Sequence, residues 1–466
     1  MKKGLVASYI DGIRDFSRGE SYTAIVRYFV PEFVTALALY SLLHLLDARF
    51  IADLKSTTMY ATLGVTGTLL HFIIKVAEGM SVGTVIMCGQ YNGAKQYSEV
   101  GRSFVSTFWT TALVGLGLSG TLYFGAPLIY RWYGVSANMI ELGVPFLRLQ
   151  ALGVLFMFLY FGLVAFLRSI KNTRTPMQIF ILGGAAFIFF DYALIFGKFG
   201  LPQMGFLGSA TATIIQYGVM LIAGLGVVLF RSEYRQYGVR LLDPFSSPAM
   251  IKRFMLLSWP VVLDKATLAI AYIWLGKMLA PMGECAMASF TVIKDMERFA
   301  FLPALAFAQI ITLLASNDFG SKNIDGIKSN IKKVMLLACI GVGLILLVFS
   351  IHPAFFISLF DHKGDFTAMA AGIFPVLSVL VLFDVFQVVL SGALRGASDV
   401  KMVMWTRLLV CLLLFMPITY LISITEFSSV VVKFALIYGM FYLSNGIMSM
   451  LYINRFRSDR WKSSLN

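Results

Sequence analysis

The chain has 466 residues, of which 58% are hydrophobic and only 13% charged. A soluble globular chain carries about 25% charged residues, so the composition excludes an ordinary soluble enzyme, a disordered protein and a coiled coil. The formal net charge of +14 favours basic loops that face a cytoplasm and anionic lipid over nucleic-acid binding.

Apolar stretches long enough to cross a bilayer recur along the whole chain. Each crossing needs about 20 mostly apolar residues, and in lipid it must be helical because every backbone donor and acceptor needs an internal partner. The pattern predicts an all-α membrane protein with twelve transmembrane helices. In chain order these spans are 28–50, 60–88, 102–130, 139–166, 176–197, 204–230, 252–279, 285–314, 331–359, 366–394, 402–424 and 430–454.

Lysine and arginine are unevenly distributed between the loops. Most of them lie in the loops on the side of the two chain termini, and few lie in the loops on the other side. Because basic loops stay in the cytoplasm, the pattern predicts that both termini are cytoplasmic. The four cysteines show no CxxC spacing, so the sequence indicates no disulfide framework and no metal site.

An internal repeat divides the predicted spans into two halves. A shift of 227 residues aligns Leu167-Arg168 with Leu394-Arg395, and Gly93 and Lys95 with Gly320 and Lys322. Six spans per half preserve the membrane direction, so the halves are predicted to be two like-oriented six-helix bundles, an arrangement typical of transporters. The predicted bundles are 1–230 and 252–466, joined by a polar cytoplasmic linker at 231–251. We expect Gly93 and Gly320 to supply positive φ in tight turns, and Arg168 and Arg395 to snorkel towards the basic loops.

Three aspartates fall inside predicted spans, where a charge is costly and usually faces protein or a wet cavity. They are Asp47, Asp191 and Asp384, and none has a carboxylate counterpart in the repeat. Features kept in both halves serve the fold, whereas carboxylates found in one half are candidates for function. The alternative is that each carboxylate caps a helix or bonds to a neighbouring one.

Other polar residues accompany these aspartates. His44 shares a helix face with Asp47 and is a candidate for a proton relay or for a hydrogen bond that positions the carboxylate. His71, Lys75 and Glu78 form a stripe along one face of the second span. We predict that this stripe lines a substrate cavity and shapes substrate choice, with a purely structural Lys75–Glu78 ion pair as the alternative.

Several motifs together resemble a known family. They are Leu46-Asp47-Ala48-Arg49-Phe50-Ile51-Ala52, Cys88-Gly89-Gln90-Tyr91-Asn92-Gly93-Ala94-Lys95, Phe190-Asp191-Tyr192-Ala193, and Phe383-Asp384-Val385-Phe386-Gln387 running on to Leu394-Arg395-Gly396. Over all twelve spans the chain resembles a multidrug and toxic compound extrusion (MATE) transporter of the oligosaccharidyl-lipid and polysaccharide flippase superfamily.

The resemblance implies secondary antiport, in which organic and often cationic compounds are exported in exchange for protons or sodium ions. By motif match, Asp47 and Asp191 would be the ion-coupling carboxylates of the amino half, and Asp384 that of the carboxy half. The chain departs from the family pattern at three positions, Leu268, Leu380 and Phe187, where a glutamate, a tyrosine and an asparagine are usual. These departures favour protons and an amino-half site.

The resulting expectation is a monomeric multidrug exporter in a bacterial inner membrane, with small organic substrates and the lipid bilayer as partners. No cofactor, metal, nucleic-acid partner or enzymatic activity is expected. A lipid-linked oligosaccharide flippase of the same superfamily is one alternative function, and a non-transporting receptor or membrane enzyme is another. Within a six-helix bundle we predict that Asp47 and Asp191 meet in one site and share a proton, because two close carboxylates in a low dielectric repel each other.

Overall fold

The computed structural model describes residues 18–38, 43–243, 247–361, 364 and 366–465; the side chains of His44 and of residues 463–465 lie outside the described part. This part is helical, with no β-strand in it. The helices are α1 Tyr22–Leu37, α2 Leu43–Ala52, α3 Thr57–Gly93, α4 Tyr97–Tyr133, α5 Ala137–Ser169, α6 Arg174–Phe196, α7 Phe206–Phe230, α8 Pro248–Leu279, α9 Glu284–Gly320, α10 Ile324–Ile351, α11 Pro353–Ser358, α12 Thr367–Gly396, α13 Val400–Val410, α14 Met416–Ile424 and α15 Val430–Arg457.

The predicted all-α membrane fold is confirmed. In the described residues, 11 helical segments are long and apolar enough to cross a membrane, and they coincide with the second to twelfth predicted spans. The tenth of these segments, which matches the eleventh predicted span, combines α13 and α14 through a π-helical turn at Cys411–Phe415. The first predicted span, 28–50, falls on the two shorter helices α1 and α2, and residues 39–42 within it lie outside the described part.

The predicted end of the ninth span at residue 359 is wrong. Helix α10 ends at Ile351, and α11 begins separately at Pro353. Proline has no N–H to donate to the preceding turn, and its ring disfavours the helical conformation of the residue before it. His352 accordingly adopts φ −132° and ψ 59°, which breaks the helix although the hydrophobic pattern continues.

Close contacts divide the chain into two compact units. The amino-terminal unit is Val30–Val262, and the carboxy-terminal unit is Leu263–Asn466 together with Met1–Phe29. Both divisions fall inside a helix, in α1 and in α8. The segment 231–251 belongs to the amino-terminal unit in this division, and the predicted domain boundary at that segment stays a prediction.

Glycine permits close contacts between helix backbones within each unit. In the amino-terminal unit, a Cβ added to Gly208 in α7 would lie 2.8 Å from the backbone nitrogen of Ile195 in α6. In the carboxy-terminal unit, a Cβ added to Gly396 in α12 would lie 2.6 Å from the carbonyl oxygen of Thr312 in α9. Such small residues let helix backbones approach closely in a membrane protein, and they bring the polar groups of neighbouring helices within reach of each other.

Corresponding turns in the two halves have the same backbone geometry. Each has a non-glycine residue with positive φ, at positions that are 227 residues apart. These residues are Lys95 (59°) with Lys322 (60°), and Lys171 (63°) with Ser398 (66°). The internal repeat seen in the sequence is therefore also present in the conformation of the turns.

The expectation that Gly93 and Gly320 supply the positive φ is wrong. Both glycines are the last residues of their helices, α3 and α9, and the left-handed residue lies two positions later. The amide of Gln96 donates to the carbonyl of Tyr91, as that of Asn323 does to Asp318. A hydrogen bond from the amide of residue i+5 to the carbonyl of residue i is characteristic of a helix that ends with one left-handed residue. In both turns that left-handed residue is a lysine.

The outer surface of both units is apolar. In the amino-terminal unit Phe124 is 80% exposed and Phe230 81%, and in the carboxy-terminal unit Leu413 is 73% exposed. Trp132 and Tyr133 stand at the end of α4, where a membrane interface favours aromatic side chains. Large exposed apolar side chains along spanning helices are the surface that lipid requires, and the chain is a multi-pass integral membrane protein.

Candidate functional site

Two of the predicted carboxylates come together in the amino-terminal unit. Asp47 lies in α2 and Asp191 in α6, close enough for electrostatic repulsion between them. The hydroxyl of Ser209, in α7, donates to Oδ1 of Asp47 at 2.7 Å. Three helices thus contribute to one polar site, and the predicted proximity of the two aspartates is present in the structure.

Asp191 has the more unusual surroundings of the two aspartates. Its side chain is fully buried, and neither carboxylate oxygen has a hydrogen-bond partner among the described residues. Burying an ionised carboxylate without a partner costs several kcal/mol. A proton or a bound cation on the pair would remove most of that cost, because it would neutralise one of the two repelling charges.

An apolar cluster packs beside this site. Ile51 lies one turn after Asp47 and Ile195 one turn after Asp191, and both are buried with Phe146 and Phe206, whose rings stack 4.0 Å apart. The cluster fixes the ends of α2 and α6 against each other and lowers the local dielectric. The side chain of His44, predicted to assist Asp47, lies outside the described residues.

The stripe in the second span is only partly buried. His71 is exposed, Lys75 is half-buried and Glu78 is buried. The Nζ of Lys75 donates to both oxygens of Glu78 at 3.1 Å, so the predicted neutralising pair is present. The role of the three residues in substrate choice stays a prediction.

Asp384 lies in α12 of the carboxy-terminal unit. The side-chain amide of Asn445, in α15, donates to its Oδ1 at 3.1 Å, and the Arg407 guanidinium acts on it electrostatically. Arg407 and Asn445 also line a small cavity with Leu268, the position where the family resemblance would place a glutamate. Asp384 therefore has a cation in its neighbourhood, whereas the described surroundings of Asp191 include no such pairing.

Arg395 does not snorkel as expected, because it pairs inside the carboxy-terminal unit. Its guanidinium contacts Asp264 at 2.5 Å, and Arg407 contacts the other oxygen of Asp264 at 2.6 Å. Asp264 is 2% exposed. One carboxylate therefore holds two guanidinium groups, and it links α8 to α12 and α13.

The same correction applies to Arg168 in the amino-terminal unit. Its guanidinium forms a bidentate pair with Glu32 of α1, at 2.7 and 2.6 Å. Arg168 and Arg395 correspond under the repeat, and each ties the fourth span of its half to the first. The acid partners, Glu32 and Asp264, are not at corresponding positions, which explains why an ungapped comparison of the halves misses the pairing.

Sequence reasoning also missed Glu297, a buried carboxylate in α9 whose partners are the hydroxyls of Tyr438 and Tyr442 in α15. In the sequence Glu297 stands among Lys294, Asp295 and Arg298, a charged cluster in the first third of the eighth predicted span. The available signal was its helical position: Ile293, Met296 and Ala300 are buried with it on one face, while Asp295 and Arg298 are exposed.

Comparisons with known proteins agree with this architecture. The MatE family model matches residues 33–193 and 260–421. Multidrug resistance protein NorM of Photobacterium profundum is 21% identical over 397 residues, 85% of this chain and 86% of that protein. Multidrug resistance protein MdtK of Yersinia enterocolitica is 23% identical over 388 residues, 82% of this chain and 83% of that protein.

The fold is also that of solved structures. A crystal structure of MATE in the straight conformation superposes with a TM-score of 0.85, at 19% identity, over 96% of this chain and 97% of that chain. At this identity the likeness shows the fold alone.

Proposed function

The chain belongs to the MatE family of transporters, and on that premise we propose that it is a drug efflux antiporter driven by protons. Membership in a family of transporters also confirms the expectation that the chain is not an enzyme. The proposed substrates are small organic compounds, cationic or amphiphilic, which are exported from a bacterial cell across the inner membrane by alternating access. Its relatives are named as multidrug resistance proteins, which supports this class of substrate.

The observation that supports proton coupling is the pair Asp47 and Asp191. Asp191 is fully buried with both oxygens unpartnered among the described residues, and Asp47 is held in place by Ser209. A single proton on the pair removes the repulsion between the two carboxylates. The departures at Leu268, Leu380 and Phe187 also place apolar side chains where the family usually has oxygen-bearing ones, which supports protons over Na⁺.

The test uses purified protein in liposomes with an imposed pH gradient, and ethidium as the fluorescent organic cation. Gradient-driven ethidium flux is expected, and it should collapse when the pH gradient is dissipated. An imposed sodium gradient without a pH gradient should give no flux. Flux driven by a sodium gradient alone would show that sodium ions, and not protons, are the coupling ions. The absence of flux under both gradients would contradict antiport.

Asp191→Asn and Asp47→Asn test the site, since each removes a carboxylate and keeps its size. Either variant should lose pH-driven efflux while it still binds ethidium. Asp295→Asn is the matched control, because its exposed carboxylate also lies in a spanning helix but outside the pair. Full gradient-driven efflux by a folded Asp191→Asn variant would refute the role of this pair.

We propose a supporting role for Asp384 in coupling ion and substrate in the carboxy-terminal unit. Asp384→Asn keeps the hydrogen bond to Asn445 possible but removes the charge that Arg407 faces. We expect reduced pH-driven efflux, measured in the same liposomes. Unchanged efflux in a well-expressed variant would show that Asp384 has a structural role only.

We further propose that His71, Lys75 and Glu78 influence substrate choice. Glu78→Gln should change the relative efflux of several organic cations while the melting temperature stays near that of the wild type. If the variant instead unfolds, or keeps the same substrate profile, the Lys75–Glu78 pair serves only to join adjacent turns of α3.

A further inference from the structure

A buried carboxylate in the carboxy-terminal unit has no part in the function proposed above. Glu297 is 5% exposed, and its Oε2 accepts hydrogen bonds from the hydroxyls of both Tyr438 and Tyr442. Its other oxygen, Oε1, is buried and has no hydrogen-bond partner among the described residues. An ionisable group inside a spanning helix is expensive to bury, and such groups are commonly functional.

The groups that face Glu297 come from three other helices. Tyr438 and Tyr442 of α15 donate hydrogen bonds to it. Asp384 of α12 repels it electrostatically, and Tyr272 of α8 is near enough to interact with its charge. Within the described residues, no lysine or arginine forms an ion pair with Glu297. It differs in this respect from Glu32 and Asp264, which are both neutralised by arginine.

We propose that Glu297 is a proton-binding residue of the carboxy-terminal unit, held in position by Tyr438 and Tyr442. In a neutral carboxylic acid the carbonyl oxygen has two acceptor sites, and two hydroxyls fill them at Oε2. The proton then lies on Oε1. On uptake a hydronium ion gives its proton to the carboxylate, so an O–H bond breaks in the hydronium ion and one forms at Oε1. On release the Oε1–H bond breaks, its electron pair stays on the carboxylate, and the proton passes to water.

This assignment rests on the proposed proton-driven antiport and adds a second proton site to it. A proton on Glu297 removes its repulsion with Asp384, just as a proton on Asp47 or Asp191 does in the other unit. Each unit thus contains two carboxylates that repel each other, one buried (Asp191 or Glu297) and one half-buried (Asp47 or Asp384), and one proton relieves the repulsion. Tyr438 and Tyr442 are positioning residues, because they act through Glu297.

The first experiment detects the proton directly and does not depend on transport. Infrared difference spectra of the purified protein between acid and alkaline pH should contain a carboxylic-acid carbonyl band from Glu297. That band should be absent in Glu297→Gln and present in the control Asp295→Asn, which removes an exposed carboxylate of the same helix. Loss of a hydrogen bond stiffens a carbonyl, so Tyr438→Phe and Tyr442→Phe should each move the band to higher frequency.

The second experiment measures ethidium efflux driven by a pH gradient. Glu297→Gln should lower it by about a hundredfold, the size typical of losing a proton-transfer group, and the two Tyr→Phe variants should lower it less. If the wild type shows no pH-driven flux, the proposed antiport fails whatever the spectra show. If the wild type transports and a folded Glu297→Gln variant keeps both the band and the flux, only the role of Glu297 fails.

The tyrosine variants keep the proposal falsifiable if Glu297→Gln does not fold. They retain the aromatic stacking of Tyr438 on Tyr442 and remove only the hydroxyls. A carboxylic-acid band whose frequency is the same in both variants as in the wild type would overturn the assignment, because the carbonyl would then not be the group those hydroxyls hold.

Discussion

Buried arginine–carboxylate pairs connect neighbouring helices in both units of this protein. Glu32 is 4% exposed, and Arg168 binds it through two nitrogens. The bidentate geometry offsets the cost of taking both charges out of water, whereas removing one partner leaves the other charge buried and alone. The stability contribution of the pair is therefore best measured by breaking it.

Glu32→Gln is expected to destabilise the protein by about 3–5 kcal/mol, the range for breaking a buried pair. Thermal unfolding in detergent measures the loss. The double variant Glu32→Gln/Arg168→Gln should be less destabilised than the sum of the single variants, because no unpaired charge remains. Glu99→Gln is the control, since its i,i+3 pair with the exposed Arg102 should contribute less than about 1 kcal/mol. Equal losses in Glu32→Gln and Glu99→Gln would contradict the argument.

Asp361 gives a second residue-scale prediction, in the loop before α12. Burial raises the pKa of Asp361, but hydrogen bonds from the Thr367 hydroxyl and from the amides of Phe366, Thr367 and Gly364 outweigh it and lower the pKa to about 2. The folded pKa is thus below the unfolded value of about 3.9. The resulting stabilisation is complete above about pH 4 and is lost as the pH falls towards about 2.

Asp361→Asn should therefore be less stable than the wild type near neutral pH, and the difference should shrink as the pH falls below about 4. Melting temperatures measured across this range in detergent provide the comparison. A difference that is constant over the whole range would show that the carboxylate charge does not contribute to the stability.

Helix contacts dominate at the scale of elements, and the pairing of α12 with α9 is a clear case. A Cβ on Gly396 would lie 2.6 Å from the carbonyl oxygen of Thr312, so Gly396→Ala must push the two backbones apart. We expect a loss of about 1–3 kcal/mol, as for overpacking in a core. Gly372, also in α12, has open space around it, and Gly372→Ala should raise stability by up to about 1 kcal/mol through helix propensity.

Thermal unfolding of the two variants side by side tests this contact, because both make the same chemical change in the same helix. Opposite signs are expected. A Gly396→Ala variant as stable as Gly372→Ala would mean that α12 and α9 do not pack at Gly396.

The positions of the helices could be predicted from the sequence far better than the side-chain pairs that connect one helix to another. Spans are visible because hydrophobicity is a property of each residue and lipid imposes helix on any long apolar run. The break at Pro353 was missed because the apolar pattern continues through it, although the proline itself was visible. The pairing of Glu32 with Arg168 depends on which helices pack together, and no local sequence pattern encodes that.

Asp47 and Asp191 were found because a lone carboxylate in an apolar run is conspicuous, whereas Glu297 was hidden among charged neighbours.

The whole molecule crosses the membrane many times, and its orientation is the property that the basic loops predict. Lys198 lies in the exposed connection between α6 and α7, and Arg235 lies in the exposed turn after α7. A single spanning helix, α7, separates them, so they must lie on opposite sides. The abundance of lysine and arginine around Arg235, compared with the loop at Lys198, predicts that Arg235 faces the cytoplasm.

Single cysteines at these two positions test the orientation, in a background from which Cys88, Cys285, Cys339 and Cys411 have been removed. A membrane-impermeant maleimide should label Lys198→Cys in intact cells and Arg235→Cys only after permeabilisation. The reverse pattern would place both termini outside. An inverted chain would have to hold its basic loops on the outer side, against the membrane potential that favours positive charge inside, at a cost of about 2.3 kcal/mol per charge for each 100 mV. Labelling of both positions in intact cells would show a mixture of orientations.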